Sequence, residues 1–266
     1  MDPDAVLFGA RCATLRPLAE LAPALATSML PRSSTGWRTA AHQAHRDAAA
    51  VNAARRGMLV DTYVTAAEQW LRARLATAEV RLRIRHPHVL DLLRDGRYLT
   101  QFEVPHSGGA LGQSRRMVIE HTVLGVPPSC RPSDRPVYGY LSGSDEAGML
   151  GQYGDVVVRL KRSVRPRSRF VIGDSLDHTI THASPPVFAP EPVDRPSLLA
   201  LIAPIDPLDC PSLADASPLP YRYAEAQIYG GVRLSDVEEF VFTLGTRPDA
   251  NTQNLLKRHR IAWQSV

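Results

Sequence analysis

The sequence predicts an α+β protein, in which a helical N-terminal region precedes a β-rich region. Three observations support this class. Apolar and Ala-rich runs with helical spacing fill the chain up to about residue 95, and short β-like runs separated by Gly and Pro follow Gly96. A chain of 266 residues with 44% hydrophobic residues can bury a large core. We therefore divide it into a helical region, residues 1–86, and a second domain, residues 87–266.

Three helices are predicted in order. Residues 39–56 are Ala-rich and end at Gly57, which suits a left-handed C-terminal position. A longer helix begins at Asp61, and a third, residues 88–94, stops at Gly96. The longer helix carries one apolar stripe for core packing, formed by Val64, Ala67, Trp70, Leu71, Leu75, Ala78 and Leu82.

The β-like runs come next. They cover residues 97–104, 135–141, 153–161, 169–176 and 221–229. Residues 107–114 are Gly-rich and predict a flexible loop. Ten prolines between residues 183 and 220 leave room only for a short helix near 197–203, so this stretch is a long loop or lid, or else an inert insertion.

The run YRYAEAQIYGGV, residues 221–232, predicts a strand with two different faces. Side chains alternate along a strand, so Glu225 and Gln227 share a face with Tyr221, Tyr223 and Tyr229. The opposite face is small and apolar, and we expect it to pack. A Glu and a Gln among aromatics suit the wall of a cleft, although an edge strand with solvated polar residues would show the same pattern.

Composition excludes several classes of protein. The three cysteines, Cys12, Cys130 and Cys210, are isolated and odd in number, which argues against a disulfide framework and a structural zinc site. No apolar run approaches the ~20 residues of a membrane span, and no signal peptide is evident. We expect no membrane partner, and a cytoplasmic protein or one exported without an N-terminal signal. The net charge of +4 does not by itself imply nucleic acid.

Four ordered motifs carry a resemblance: DGRYLTQFE, RPVYGYL, YGDVVVRLK with FVIGDSL, and YAEAQIYGGVRLSDVE. Together they resemble an uncharacterised bacterial domain family and the related catalytic domains of insecticidal-type ADP-ribosyltransferase toxins, over residues 94–242. The resemblance implies a split β-sandwich that holds NAD, with an Arg, a Ser or Thr, and a Glu on separate strands. It therefore implies a toxin-like mono-ADP-ribosyltransferase that acts on a macromolecule.

On this sequence the implied catalytic residues are Arg135, Ser175 and Glu225. Arg97 and Arg116 remain alternatives for the arginine. The expected NAD-binding residues are Arg135, Tyr138, Tyr223, Gln227 and Gln101. Tyr223 stands where the family often has Gln or Glu, so the acceptor stays open.

These residue types suit the chemistry. A carboxylate on the ribose 2′-hydroxyl stabilises the oxocarbenium-like transition state, a guanidinium binds phosphate oxygens, and a tyrosine ring can stack on nicotinamide. Water as acceptor would make the protein an NAD glycohydrolase. The alternative class is an inactive module that binds nucleic acid or protein.

The remaining signals concern metal and surface charge. His42 with His45, and His86 with His88, lack a third ligand, so we expect NAD as substrate and no metal. Six cations lie within eleven residues and predict either an exposed, solvated turn or a surface for an anionic partner. They are Arg159, Lys161, Arg162, Arg165, Arg167 and Arg169.

Overall fold

A mixed sheet of eight strands organises the protein. The computed structural model describes residues 47, 49–104, 113–122, 126–144, 153–172, 187–188, 206–212 and 224–266. The helices in this part are α1 (49–55), α2 (Val60–Thr77), α3 (His86–Asp95), α4 (Gln113–Thr122) and α5 (Ala250–His259). Mixed helices and a large sheet agree with the predicted α+β class, whereas the ADP-ribosyltransferase-like architecture stays a prediction.

The sheet order is β10-β9-β4-β1-β3-β7-β5-β6, and β2 pairs separately with β8. The strands are β1 (Val80–Ile84), β2 (Arg97–Tyr98), β3 (Val137–Leu141), β4 (Val156–Leu160), β5 (Ser168–Ile172), β6 (Val187–Phe188), β7 (Ala224–Ile228), β8 (Val232–Arg233), β9 (Val237–Phe242) and β10 (Ala262–Ser265). All described pairs in the large sheet are antiparallel except β9 with β10. Helix α5 makes the crossover between these two strands, as a parallel connection requires.

The two faces of the sheet differ in chemistry. One face is apolar: Leu82, Val158 and Phe240 are in register on β1, β4 and β9, and they share a core with Tyr63 and Leu71 of α2. The opposite face carries a polar row that crosses five strands. In register, that row is Glu239, Arg159, Arg81, Tyr140 and Glu225.

The predicted long helix is partly wrong. Helix α2 ends at Thr77, and Leu82 lies in β1, a central strand. The physical reason is visible in VRLRI, whose apolar residues alternate with arginine at a period of two and are buried in alternation. The stripe continues across the break because Leu82 packs in the same core as Val64, Ala67 and Leu71.

The prediction that two helices end at Gly57 and Gly96 is confirmed. Gly57 and Gly96 follow helical segments at φ of +65° and +72°, the left-handed conformation that glycine adopts without strain. The change from helix to strand begins at Val80, earlier than expected, and the division into two domains stays a prediction. Several expectations fall outside the described residues, namely the start of the first helix, the Gly-rich loop 107–112 and the helix near 197–203.

Helix α4 was not predicted. Only the first two residues of the run 97–104 form a strand, and residues 101–103 form a turn. In the described part of the chain, no helix is long and apolar enough to cross a bilayer.

A first prediction concerns a close contact between two strands. A Cβ on Gly139 of β3 would overlap the carbonyl group of Arg81 and lie 2.9 Å from Leu82 Cδ2. We expect Gly139→Ala to lower the free energy of unfolding by about 1–3 kcal/mol in urea titrations, the usual cost of overpacking. Gly143→Ala gives a reference of a different kind, because its Cβ meets open space and its cost comes from the φ of +88° alone. A Gly139→Ala protein as stable as the parent would contradict the tight β1–β3 packing.

Candidate functional site

The polar face is centred on β7, which lies between β3 and β5 and is buried on both sides. Ala224, Ala226 and Ile228 face the apolar core, as the alternation predicted. Glu225 and Gln227 face the other way and are only 3% and 0% exposed. Because β7 is an inner strand, the interpretation as an edge strand with solvated polar residues is wrong.

Glu225 is held by an amide and accompanied by a guanidinium. Gln227 Nε2 donates a hydrogen bond to Glu225 Oε1 at 2.5 Å. Arg116 Nη1 lies 3.9 Å from Glu225 Oε2, and its guanidinium stacks over the Tyr138 ring at 3.9 Å from the ring centroid. Buried polar groups cost several kcal/mol unless they are paired, so this cluster must form as a unit.

Helix α4 supplies the guanidinium. Residues four apart share a helix face, so Arg116 and Glu120 both point towards the sheet, and both are buried. The sequence motifs indicate Arg116 as one of three candidate arginines and do not identify Glu120. The local pattern that points to Glu120 is its spacing of four residues from Arg116, which places both on one helix face.

Arg135, the preferred arginine, has other contacts. Its Nη1 donates to Glu120 Oε2 at 2.5 Å, its Nη2 donates to the Pro128 carbonyl at 2.9 Å, and its guanidinium stacks on Phe102. Tyr138 Oη donates to the second Glu120 oxygen at 2.9 Å. Arg135 therefore holds α4 and its flanking segments against β3, and Arg116 is the described arginine beside Glu225.

Burial shifts the pKa values of Glu120 and Tyr138. Burial raises the pKa of Glu120, and the hydrogen bonds from Arg135 and Tyr138 oppose that shift without cancelling it. Burial also raises the pKa of Tyr138 well above its usual value, so its hydroxyl stays a proton donor to Glu120 near neutral pH. The Arg116 guanidinium occupies a face of the Tyr138 ring, which leaves that face closed to nicotinamide.

The other expected site residues are distributed as follows. Gln101 lies in the turn after β2, and its carbonyl accepts a hydrogen bond at 2.6 Å from Nε2 of Gln113, the first residue of α4. Arg97 forms a two-point pair with Glu103 and is 44% exposed. Its guanidinium lowers the pKa of Glu103. Ser175 and Tyr223 lie outside the described residues, so their roles stay predictions.

The predicted basic cluster is mostly internal. Arg169 is fully buried with its guanidinium over Tyr229, and Arg165 donates to the Ala76 carbonyl. Arg167 donates to the carbonyls of Tyr229 and Gly231 and to Asp236. An exposed, solvated turn is therefore wrong for these three.

Arg159 bridges Glu79 and Glu239 on the polar row. Its hydrogen bond is the main reason that the pKa of Glu79 is lowered. Only Lys161 and Arg162 of the six are exposed, so the anionic partner stays a prediction for those two.

The described residues contain no group of three or more His, Cys, Asp or Glu placed to hold a metal ion. The arrangement is instead one of carboxylate, amide, guanidinium and phenol, which suits hydrogen bonding to a polar organic ligand.

The fold and this cluster define a mixed α/β protein with a buried polar face, and no family model matches the chain. Two phage proteins are similar to it. The Gene 2 protein of Mycobacterium phage L5 is 33% identical over 181 residues, which cover 62% of this chain and 64% of that protein. The Gene 2 protein of Mycobacterium phage D29 is 31% identical over 221 residues, which cover 77% and 78%. The chain belongs to this family of mycobacteriophage Gene 2 proteins, although it spans less than two thirds of the L5 protein.

A second prediction separates anchoring from ligand binding at Arg135. Arg135→Ala leaves the Glu120 carboxylate buried without its cation, and we expect a loss of about 3–5 kcal/mol in unfolding free energy at pH 7. The loss of unfolding free energy should shrink towards pH 4. Arg135 stabilises the ionised carboxylate of Glu120, and a protonated Glu120 no longer needs a cation beside it.

The control is the same substitution in a Glu120→Gln background, where the loss should no longer change with pH. Urea titrations from pH 4 to pH 8 measure both. A loss at Arg135 that is equally large at both ends of this range would contradict the assigned pairing.

Proposed function

We propose that the protein cleaves NAD at the polar face of the sheet and transfers ADP-ribose to a macromolecular acceptor, as a toxin-like mono-ADP-ribosyltransferase does. The observation that carries the proposal is the Glu225 carboxylate, which Gln227 orients on an inner strand with Arg116 beside it. The sequence resemblance independently assigns the same glutamate, and the shared motifs span the strands that form this face.

The proposed reaction has two bond changes at ribose C1′. The bond between ribose C1′ and the nicotinamide nitrogen breaks, and its electron pair leaves with nicotinamide. The acceptor atom then bonds to C1′ and gives up its proton to solvent or a nearby base. Glu225 accepts a hydrogen bond from the ribose 2′-hydroxyl, which strengthens as positive charge develops on the ring. Gln227 acts as a positioning residue, since it fixes one Glu225 oxygen.

Arg116 is the phosphate ligand in this proposal. Its guanidinium lies 3.9 Å from the nearest Glu225 oxygen, a close ion pair without hydrogen-bond geometry. A pyrophosphate can take over this cation and release the carboxylate for the ribose. Arg135 stays with Glu120 and keeps α4 in place.

The burial of Glu225 also favours a second outcome, hydrolysis. A carboxylate that is 3% exposed leaves little space for a macromolecular acceptor, whereas water is small enough to reach C1′. Nicotinamide release measured with and without cell lysate distinguishes the two reactions. Release that requires lysate, with label transferred to a macromolecule, supports transfer. Release by the purified protein alone supports an NAD glycohydrolase.

A third prediction tests Glu225. Glu225→Gln keeps size and polarity but removes the charge, so nicotinamide release should fall on the order of 10²-fold or more. Glu239→Gln is the matched control, because this glutamate lies in the same row of the polar face but pairs with Arg159. Release within twofold of the parent in a folded Glu225→Gln protein would remove Glu225 from the reaction. No release by the parent itself would leave the inactive binding module.

A fourth prediction tests the arginine. Arg116→Ala should weaken NAD binding by roughly 10-fold or more in calorimetric titrations, and Arg116→Lys should recover only part of it, since Lys lacks the planar fork. Arg97→Ala is the control, because Arg97 pairs with Glu103 near the surface. If Arg97→Ala has the larger effect, the phosphate site is at Arg97 instead.

A further inference from the structure

An exposed cationic surface begins at the C-terminal end of α5, in a stretch that the sequence analysis did not identify as basic. Lys257, Arg258, His259 and Arg260 are consecutive and all exposed. Within the described part of the chain, none of their side chains has an ion pair or a hydrogen bond. This contrasts with Arg159, Arg165, Arg167 and Arg169, which internal groups engage.

The strand register extends this surface. The last residue of β4 pairs with the first residue of β9, and the first residue of β10 pairs with Glu239. Lys161 and Arg162 directly follow β4, and Arg260 precedes β10 by two residues, so these cations lie at one end of the sheet. Lys161 donates to the Ser235 carbonyl and Arg162 to the Ala76 carbonyl, but both side chains stay exposed and keep N–H groups for a ligand. Glu238 is exposed at this end, and the exposed Asp95 lies close by, because the Gly96 carbonyl accepts from Leu234. The five exposed Lys and Arg residues still outnumber these two carboxylates.

An exposed aromatic side chain lies on β10, the strand that follows the cations at the end of α5. Trp263 is 39% exposed, and its ring contacts Phe242 at a centroid distance of 6.1 Å. Phe242 pairs with Val156, so the indole leans along the strand away from Lys161. That contact holds the indole on the outermost described strand while leaving part of the ring open. Cations and an exposed aromatic ring along one edge of a sheet suit a single-stranded nucleic acid, whose phosphates meet guanidinium groups while a base several ångströms further on stacks on the ring.

Helix stabilisation does not account for the whole arrangement. Cations in the last turn of a helix favour the macrodipole by about 0.3–1 kcal/mol each, and that effect is confined to the last turn. It explains neither the exposed indole nor the additional cations after β4.

We propose that this edge of the sheet, formed by Lys161, Arg162, Lys257, Arg258 and Arg260 at one end and by Trp263 further along β10, binds single-stranded nucleic acid. Phosphate contacts supply most of the affinity, and Trp263 stacks on a base. The proposal is independent of NAD chemistry, since none of these residues belongs to the polar face around Glu225.

The fifth prediction uses a fluorescein-labelled 20-nucleotide single strand and fluorescence anisotropy across a salt series. The double variant Lys257→Gln with Arg258→Gln should bind about 10-fold more weakly at low salt, and the slope of log affinity against log salt should fall by about 1–2. Arg258→Lys should retain the salt slope. The matched control is Arg85→Gln with Arg247→Gln, two exposed arginines at the opposite end of the sheet, for which we expect little change.

The contribution of Trp263 is measured separately, by the affinity for the single strand at each salt concentration. Trp263→Ala should lose roughly 10-fold in affinity for the single strand with an unchanged salt slope, and Trp263→Phe should keep most of the binding. Unchanged affinity in either the cation or the Trp263→Ala variant, with melting temperatures near the parent's, overturns the proposal. So does an equal loss in the opposite-end control. Equal binding of poly-glutamate or of phosphatidylserine vesicles would overturn the assignment to nucleic acid.

Discussion

The burial of β7 on both faces constrains the rest of the described structure. One face is satisfied by ordinary apolar packing through Ala224, Ala226 and Ile228. The other buries a carboxylate and an amide, which cost several kcal/mol each unless polar partners come with them. Gln227 supplies one partner from the same strand, whereas Arg116 must be delivered by a separate helix. The position of α4 is thus decided by electrostatics at β7 rather than by an apolar stripe.

A second buried pair fixes that helix. Glu120 is one turn beyond Arg116, and its two oxygens accept from Arg135 and Tyr138, on the segment that leads into β3 and on β3 itself. Arg135 also binds the Pro128 carbonyl and covers Phe102, so it connects the segments on both sides of α4. A buried pair of this kind adds little net stability over apolar packing, but removing one partner is costly. The Arg135–Glu120 pair therefore suits the contact between α4 and β3, where it keeps the helix in one orientation.

Local patterns in the sequence predicted the parts that depend on local rules. Alternation assigned the two faces of β7, and Gly57 and Gly96 marked helix ends correctly. The errors share a cause. The helical spacing predicts Leu82 as the last residue of the α2 stripe, and only the pairing of VRLRI with β3 and β4 makes this run a strand. The motif favours Arg135 over Arg116 because a motif describes position along the chain, whereas the partner of a guanidinium depends on the three-dimensional fold.

The arginines illustrate the same limit for surface charge. Arg165 and Arg167 donate to main-chain carbonyls and Arg169 covers Tyr229, so these cations strengthen the junction of β5, β7 and α2 and present little charge to solvent. A run of basic residues in a sequence therefore does not show whether the side chains are exposed to solvent or donate hydrogen bonds to buried main-chain carbonyls. The sequence KRHR at the end of α5 is shorter and less conspicuous, yet its side chains are exposed. Long-range attraction depends on charge in high-dielectric solvent within a Debye length of about 10 Å, so the exposed end of α5 contributes more to the external field than the denser internal cluster.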